Sequence, residues 1–226
     1  MSAGARGGPS PGTTIDRVSR PTRQTYARVA AATREADRRD RFIDAGLTVF
    51  TTTGFVTSSV AQICKQAGLS TRQYYQLFSD RADLLVAIHA MVNERAQEAV
   101  AEVLAGPVGD LDELLIAAIA AYVTAITADS RYPSIAFIEI VGVNAHTEEH
   151  RRRIRDQWIS ALNVVAQRYA DAGRLPARDY RMTWIAMAGA VNALVQEYSE
   201  SGSTAEGLEA LSTELSRLLL VGLLRD

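Results

Sequence analysis

The sequence predicts an all-α fold, and three observations predict it. Apolar residues recur at three- and four-residue spacing from Arg34 almost to the end of the chain. No stretch alternates apolar and polar residues long enough to read as a strand. Clusters of Gly, Pro, Ser and Asp fall between the periodic segments, where helices start and stop. At 226 residues, with 47% of them apolar and 22% charged, the chain has ordinary globular usage, which excludes a wholly disordered protein. One cysteine, Cys64, excludes an internal disulfide. The N-terminus lacks the apolar run of a secretory signal. The most apolar stretch, Leu114 to Ile126, is too short to span a bilayer. A cytoplasmic protein without a membrane partner is expected.

The elements follow in order. Residues 1–33 are low in large apolar side chains and rich in Gly, Pro and Arg, and read as a disordered, arginine-rich arm. From Arg34, Phe42, Ile43, Leu47, Val49 and Phe50 form a helical stripe that ends at Thr51–Gly54, with Gly54 suited to a left-handed C-terminal position. Ser59 with Gln62 is a capping pair for a second helix carrying Val60, Ile63 and Ala67. The run Ala67-Gly68-Leu69-Ser70 supplies a tight turn, an apolar plug and a cap for a short third helix over 71–78. Ser79-Asp80 caps a long helix over 81–104. Further helices are predicted over 110–129, 131–144, 147–172, 177–200 and 204–224.

Charge is unevenly shared. Residues 1–83 hold twelve basic and seven acidic side chains, a balance of +5; residues 84–226 hold twelve and nineteen, a balance of −7. A basic front on an acidic remainder fits a polyanionic partner for the N-terminal part. Two helices joined by a short glycine-containing turn, the second helix polar and basic, form a helix-turn-helix, and such a helix fits the major groove of double-stranded DNA.

Residues Arg39 to Leu85 carry Phe42-Ile43-x-Ala45, Phe50, Gly54-Phe55, Ser59-Val60, Ile63, Ala67-Gly68-Leu69-Ser70, Tyr75, Phe78 and Leu84-Leu85. This pattern resembles the DNA-binding domain of the tetracycline-repressor (TetR) family of bacterial transcriptional regulators. The resemblance implies a DNA-binding domain over 34–82 and a helical ligand-binding and dimerisation domain over 83–226. It further implies a homodimer that represses transcription until a small, largely apolar effector releases it from operator DNA. It places Ser59, Tyr75 and Arg81 on phosphate-contacting positions, and Thr71, Arg72 and Gln73 on positions that face base edges, with Arg72 suited to guanine and Gln73 to adenine. Ser70, Gln76, Arg38 and Arg39 complete the expected DNA-binding set. Arg72, Gln73 and Leu77 depart from the family's frequent residues, as does Tyr74, which is expected to pack inward. Cys64 reads as a core residue.

In the second domain, Ala186, Gly189, Ala190 and Ala193 form a small-residue face, and Leu208, Leu211, Leu215 and Leu218 an apolar stripe; together they are the expected dimer interface. Tyr122, Ile126, Phe137, Ile138, Val141, Trp158, Leu162, Trp184 and Met187, with the polar Glu139 and Asn192, are the expected ligand-binding set. Two other readings stay open. One is a DNA-binding regulator with no small-molecule effector, its second domain serving dimerisation or a protein partner. The other is a zinc-dependent hydrolase using His146, Glu149 and His150, because His146-Thr-Glu-Glu149-His150 has the H-x-x-E-H spacing. No Ser-His-Asp set or phosphate loop is present, and no catalytic residue, metal or cofactor is expected.

Overall fold

In the computed structural model the described residues are 23–202 and 204–224, and all of their regular structure is helical. The arm residues 1–22, with Arg17 and Arg20, lie outside them. By internal contacts the chain divides at Asp37/Arg38. Of residues 1–37 the described part is the start of α1 (Arg23–Thr53). That helix begins well before the expected Arg34. The stretch from Arg23 to Thr33 holds no Gly or Pro and includes Ala27, Ala30, Ala31 and Ala32, so an established helix propagates through it.

Residues 38–226 hold the rest. Helices α2 (Val60–Ala67) and α3 (Thr71–Tyr75) follow α1, and α4 (Arg81–Leu104) leads to α5 (Leu111–Thr127). The predicted helix over 131–144 is instead a short α6 (Tyr132–Ser134) continued by a π-helical turn, Ile135–Glu139, with Gly142 at positive φ before the next helix. Helices α7 (Ala145–Asp171), α8 (Arg181–Glu200) and α9 (Ala205–Leu224) complete the chain. Caps explain the starts. Asp80 accepts from the backbone of Asp83, Asp110 from that of Glu113, and Asn144 forms a capping box with Thr147. Thr147, at the third position of the helix, closes the box from inside, so α7 starts ahead of the expected residue 147.

Two apolar clusters form. The first joins Phe42, Phe50, Ile63, Tyr74, Phe78, Leu84, Leu85 and Ile88 to Tyr132, Ile135, Ala136 and Ile140 of the α6 segment. The second fills the space among α5, α7, α8 and α9 around Val123, Ile159, Tyr169, Trp184 and Leu215. Phe137 packs against both. Helices α1 and α4 cross closely at Gly46, where an added Cβ would stand 2.7 Å from Leu84 Cδ2 and 2.9 Å from Ile88 Cδ1. Both neighbours are fully buried and have little room to move. Gly46→Ala is expected to lower stability by about 1–3 kcal/mol through overpacking, and Gly46→Val by more; urea unfolding monitored by circular dichroism measures it, and an unchanged midpoint for both variants would contradict the close crossing.

Candidate functional site

The turn between α2 and α3 is built as its residues dictate. Ser59 caps α2 by accepting from the Gln62 backbone N–H at 3.3 Å. Gly68 ends it at φ +63°, a left-handed conformation that favours glycine. Arg41 of α1, whose role no local pattern announces, donates to the carbonyls of Ala67 at 2.8 Å and Gly68 at 3.3 Å and so fixes the turn to the first helix. Ser70 and Gln73 form a capping box for α3. Tyr74 is fully buried, as expected, edge-on to Phe42, and its hydroxyl donates to the Asp80 carbonyl at 2.9 Å. Cys64 is buried in the same core.

With Tyr74 anchored inward, Thr71, Arg72, Tyr75 and Gln76 are left on the outer face, Tyr75 at 58% exposure. Ser70 is exposed beside them, Ser59 and Arg38 are half-buried, and Arg39 lies exposed with its guanidinium 5.2 Å from the Phe78 ring centre. Two of these side chains have further partners. Arg81 donates from Nη1 to the carbonyls of Phe55 and Ser58 and to Ser58 Oγ, and stacks over Phe55. Nη1 thereby ties the α1–α2 loop to α4, and a phosphate contact would fall to the other guanidinium N–H groups. Gln73 Oε1 accepts from the Ser70 backbone and hydroxyl, both at 2.9 Å, so a bidentate contact to adenine would have to break the cap.

The second region of interest is a cavity of about 260 Å³ among α4, α5, α7 and α8. It is long. Its wall follows α4 from His89 to Leu104, about 22 Å at the α-helical rise, and α7 from Glu148 to Tyr169, about 31 Å. Leu104, Leu111, Leu115, Tyr169 and Leu175 make one end wholly apolar apart from a phenol. The other end carries His89, Asn93, Tyr122 and Trp158, with Arg151, Arg152 and Arg155 beyond them. Arg151 and Arg152 are paired to Glu148 and Glu149 at 2.9 and 2.6 Å. Arg155 has no acidic partner among the described residues.

Of the expected ligand set, Tyr122, Phe137, Trp158, Leu162, Trp184, Met187 and Asn192 line this cavity. Four do not. Ile126 is buried in the second core, and Ile138 and Val141 are exposed at 37% and 50%. The π-helical turn is responsible for the last two, because widening the helix there rotates its side chains away from the α-helical register assumed from sequence. The fourth, Glu139, accepts the Phe55 backbone N–H at 2.6 Å, 84 residues away in sequence. His89 and Asn93 were missed; a histidine and an asparagine four residues apart on an otherwise apolar helix face were the available signal.

His150 also departs from expectation. It is buried, and its Nε2 faces His89 Nδ1 at 3.0 Å with the rings nearly perpendicular. His146 is exposed, and Glu149 pairs with Arg152. The H-x-x-E-H residues therefore do not converge, and no group of three metal-ligating side chains occurs among the described residues. Burial holds the His89 pKa down to about 3, helped by the facing His150 and by Arg151 and opposed by a hydrogen bond to the Ala136 backbone. Burial likewise lowers that of His150, with Arg153 and His146 adding to it.

The α6 segment connects the two regions. Arg131, at its start, pairs with Asp44 of α1 at 3.0 Å, donates to Thr48 at 2.7 Å, and is braced by Asp129, whose carboxyl that hydrogen bonding holds below the usual range. Glu139, at its end, holds Phe55. Between them Ala136 and Phe137 wall the cavity.

No family model and no curated protein matches the sequence. Solved structures do. The transcriptional regulator FadR from Bacillus subtilis, in complex with stearoyl-CoA, is 20% identical, with a TM-score of 0.72 over 80% of this chain and 97% of that one. FadR from Bacillus halodurans, a fatty acid degradation regulator, is 19% identical, with a TM-score of 0.70 over 81% and 94%. The TetR-family regulator PfmR from Thermus thermophilus is 18% identical, with a TM-score of 0.65 over 79% and 97%.

The chain has the TetR-family fold.

In this TetR-type arrangement the last two long helices, α8 and α9, pack on each other and leave Met182, Ala186, Gly189 and Ala193 exposed along one face of α8, Met182 at 75%. Ala190, Leu208 and Leu218 are half-buried beside it. Leu211 and Leu215 are corrected: both are buried in this chain's own core and are not available to a second copy. No single helix among the described residues is long and apolar enough to cross a membrane.

The buried histidines make stability depend on pH with a definite sign. An unfolded chain binds a proton at His89 near pH 6.5, whereas the folded state resists until about pH 3. The contribution is therefore complete above pH 6.5 and is lost as pH falls toward 3. Between pH 7.5 and pH 4.5 the wild type is expected to lose about 2–3 kcal/mol more than His89→Gln, by urea unfolding at equal protein concentration; equal losses would mean that His89 is charged in the fold.

Proposed function

We propose that this chain is a TetR-like transcriptional regulator, a homodimer whose α3 reads operator DNA and whose cavity takes a long, largely apolar ligand that releases it. The observation that carries the reading is the α6 segment, which belongs to the core under the reading helix and is at the same time a wall of the cavity. A ligand that displaces Ala136 or Phe137 acts on Phe55 through Glu139 and on α1 through Arg131. It then selects dimers whose reading helices are wrongly placed for two half-sites.

The reading assigns residues 34–82 to DNA and 83–226 to ligand and pairing. Base contact falls to Arg72 and Thr71, phosphate contact to Tyr75, Ser59 and Gln76, and pairing to Ala186, Gly189 and Ala193 of α8 with Leu218 of α9. The ligand class is acyl. A cavity whose lining runs from an apolar end to a polar end bordered by arginines fits a chain better than a ring system, and the similar FadR structure holds stearoyl-CoA. An interior filled by side chains would have favoured the effector-free regulator; the cavity favours this one. The activity is binding, not catalysis.

The test is a mobility shift on DNA upstream of the protein's own gene, with stearoyl-CoA added. A retarded band that the acyl compound releases supports the reading; no retarded band overturns it. Arg72→Ala is expected to cost about 1–3 kcal/mol at one base position and to relax preference there, whereas Tyr75→Phe weakens all sequences alike. Equal losses for Arg72→Ala on specific and random DNA would move Arg72 to the phosphate class.

The link has its own signature. Glu139→Ala leaves the Phe55 N–H without its acceptor but does not touch the cavity. It is expected to preserve stearoyl-CoA affinity in the absence of DNA and to raise, by about five-fold or more, the concentration needed to release DNA. A parallel change in both quantities would place Glu139 outside the coupling route.

A further inference from the structure

Two loops of unlike strength meet the apolar end of the cavity. Leu104 ends α4, Leu111 starts α5, and both line that end, so the chain from Ala105 to Asp110 joins one wall residue to the other as a strap. Leu175 of the α7–α8 loop lines the same end. The α7–α8 loop is anchored from within. Leu175 is buried, Gly173 at φ +68° precedes an Arg174 N–H that donates to the Tyr169 carbonyl at 2.8 Å, and the Tyr180 hydroxyl donates to the Pro176 carbonyl at 2.7 Å. The strap has no such plug. Gly106 is half-buried, and Ala105, Pro107, Val108, Gly109 and Asp110 are exposed.

What holds the strap is polar and comes from two adjacent residues of α7. Arg168 donates to the Leu104 carbonyl at 3.1 Å and to the Gly106 carbonyl at 2.9 Å, and the Tyr169 hydroxyl accepts the Gly109 N–H at 3.3 Å. No carboxylate pairs with Arg168 among the described residues; its charge is met by the carbonyl end of α4. A segment that buries little apolar surface and hangs on a few hydrogen bonds lies at the low end of local stability.

We propose that the α4–α5 loop is the gate of the cavity, opening off α7 to pass apolar groups, with Arg168 and Tyr169 as its latch. The gate rests on the reading of the cavity as a ligand site and supplies its port. The opposite end is bordered by Arg151, Arg152 and Arg155, whose water an apolar molecule would have to strip. Opening the strap exchanges three hydrogen bonds for bonds to water, a small change for each. For a ligand with a charged head, the open strap bares the seat of the tail while the head stays at the arginines.

Stopped-flow fluorescence of the full chain with 1-N-phenylnaphthylamine, an uncharged apolar probe without an acyl chain, tests the gate. Arg168→Met keeps an apolar stem and removes both donors. It is expected to speed association and dissociation alike by about ten-fold, and Tyr169→Phe, which keeps its ring in the wall, by about five-fold. The dissociation constant is expected to stay within about two-fold in both, because a gate acts on the path and not on its ends. Arg155→Ala, at the opposite end, is expected to leave both rates unchanged. Rates unmoved in Arg168→Met and Tyr169→Phe, with only the melting temperature lowered, would make the two residues braces of α4 and overturn the gate. Exchange speeded as much by Arg155→Ala would overturn it too, and either result leaves the ligand reading intact. If the probe does not bind wild-type protein, the reading of the cavity as an apolar ligand site falls and the gate with it.

Discussion

The structure turns on how the short α6 segment is held. Its ends are pinned to the first helices by unlike polar ties: a guanidinium on the side chains of Asp44 and Thr48, and a carboxylate on the backbone N–H of Phe55. Between the pins, Tyr132, Ile135, Ala136 and Ile140 sit in the same core as Phe42, Phe50 and Ile88. Sequence distance is large, 83 residues for the Arg131–Thr48 bond and 84 for the Glu139–Phe55 bond, so neither tie arises from local propensity. A segment fixed at both ends and buried along one side has few independent motions. Both ties end on the elements that precede the helix-turn-helix turn, α1 and the α1–α2 loop.

The π-helical turn gives that free side its shape. One extra residue in the turn offsets the register, so Ile138 and Val141 face outward while Ala136 and Phe137 meet the cavity. An α-helix through the same residues would carry a single apolar stripe and serve one core. The widened turn serves two, and Phe137 contacts both.

Most of the helix-turn-helix was legible in the sequence because its devices are local. Ser59, Gly68 and Ser70 act on residues close by in the chain, and their capping and positive-φ roles follow from residue type alone. Where a residue's role depends on a distant partner, the sequence misled. Glu139 looked like a ligand contact because a lone carboxylate in an apolar run has no local explanation; its explanation lies in Phe55. Arg81, a phosphate ligand by position, also holds the carbonyls of Phe55 and Ser58 through Nη1, which no local pattern announces. Leu211 and Leu215 show the same limit. A leucine stripe on a helix does not say whether its own core or a second copy covers it, and here the core does. The front of α1 was missed because a charged, alanine-rich stretch carries no apolar stripe, although its propensity supports a helix.

The two histidines explain why the polar end of the cavity can be uncharged yet ordered. Two facing neutral imidazoles pair without an ion, one donating its ring N–H to the bare nitrogen of the other. The same pairing fixes the α4 face that carries Asn93 against the α7 face that carries Trp158, because both helices contribute one ring to it. Helix α5 brings Tyr122 across from them, its ring edge-on to Trp158. The α6 segment is the remaining side, and it is the one tied to α1 through Arg131 and to the α1–α2 loop through Glu139. Its Ala136 and Phe137 are therefore lining residues of the cavity on a segment that also belongs to the core beneath α3.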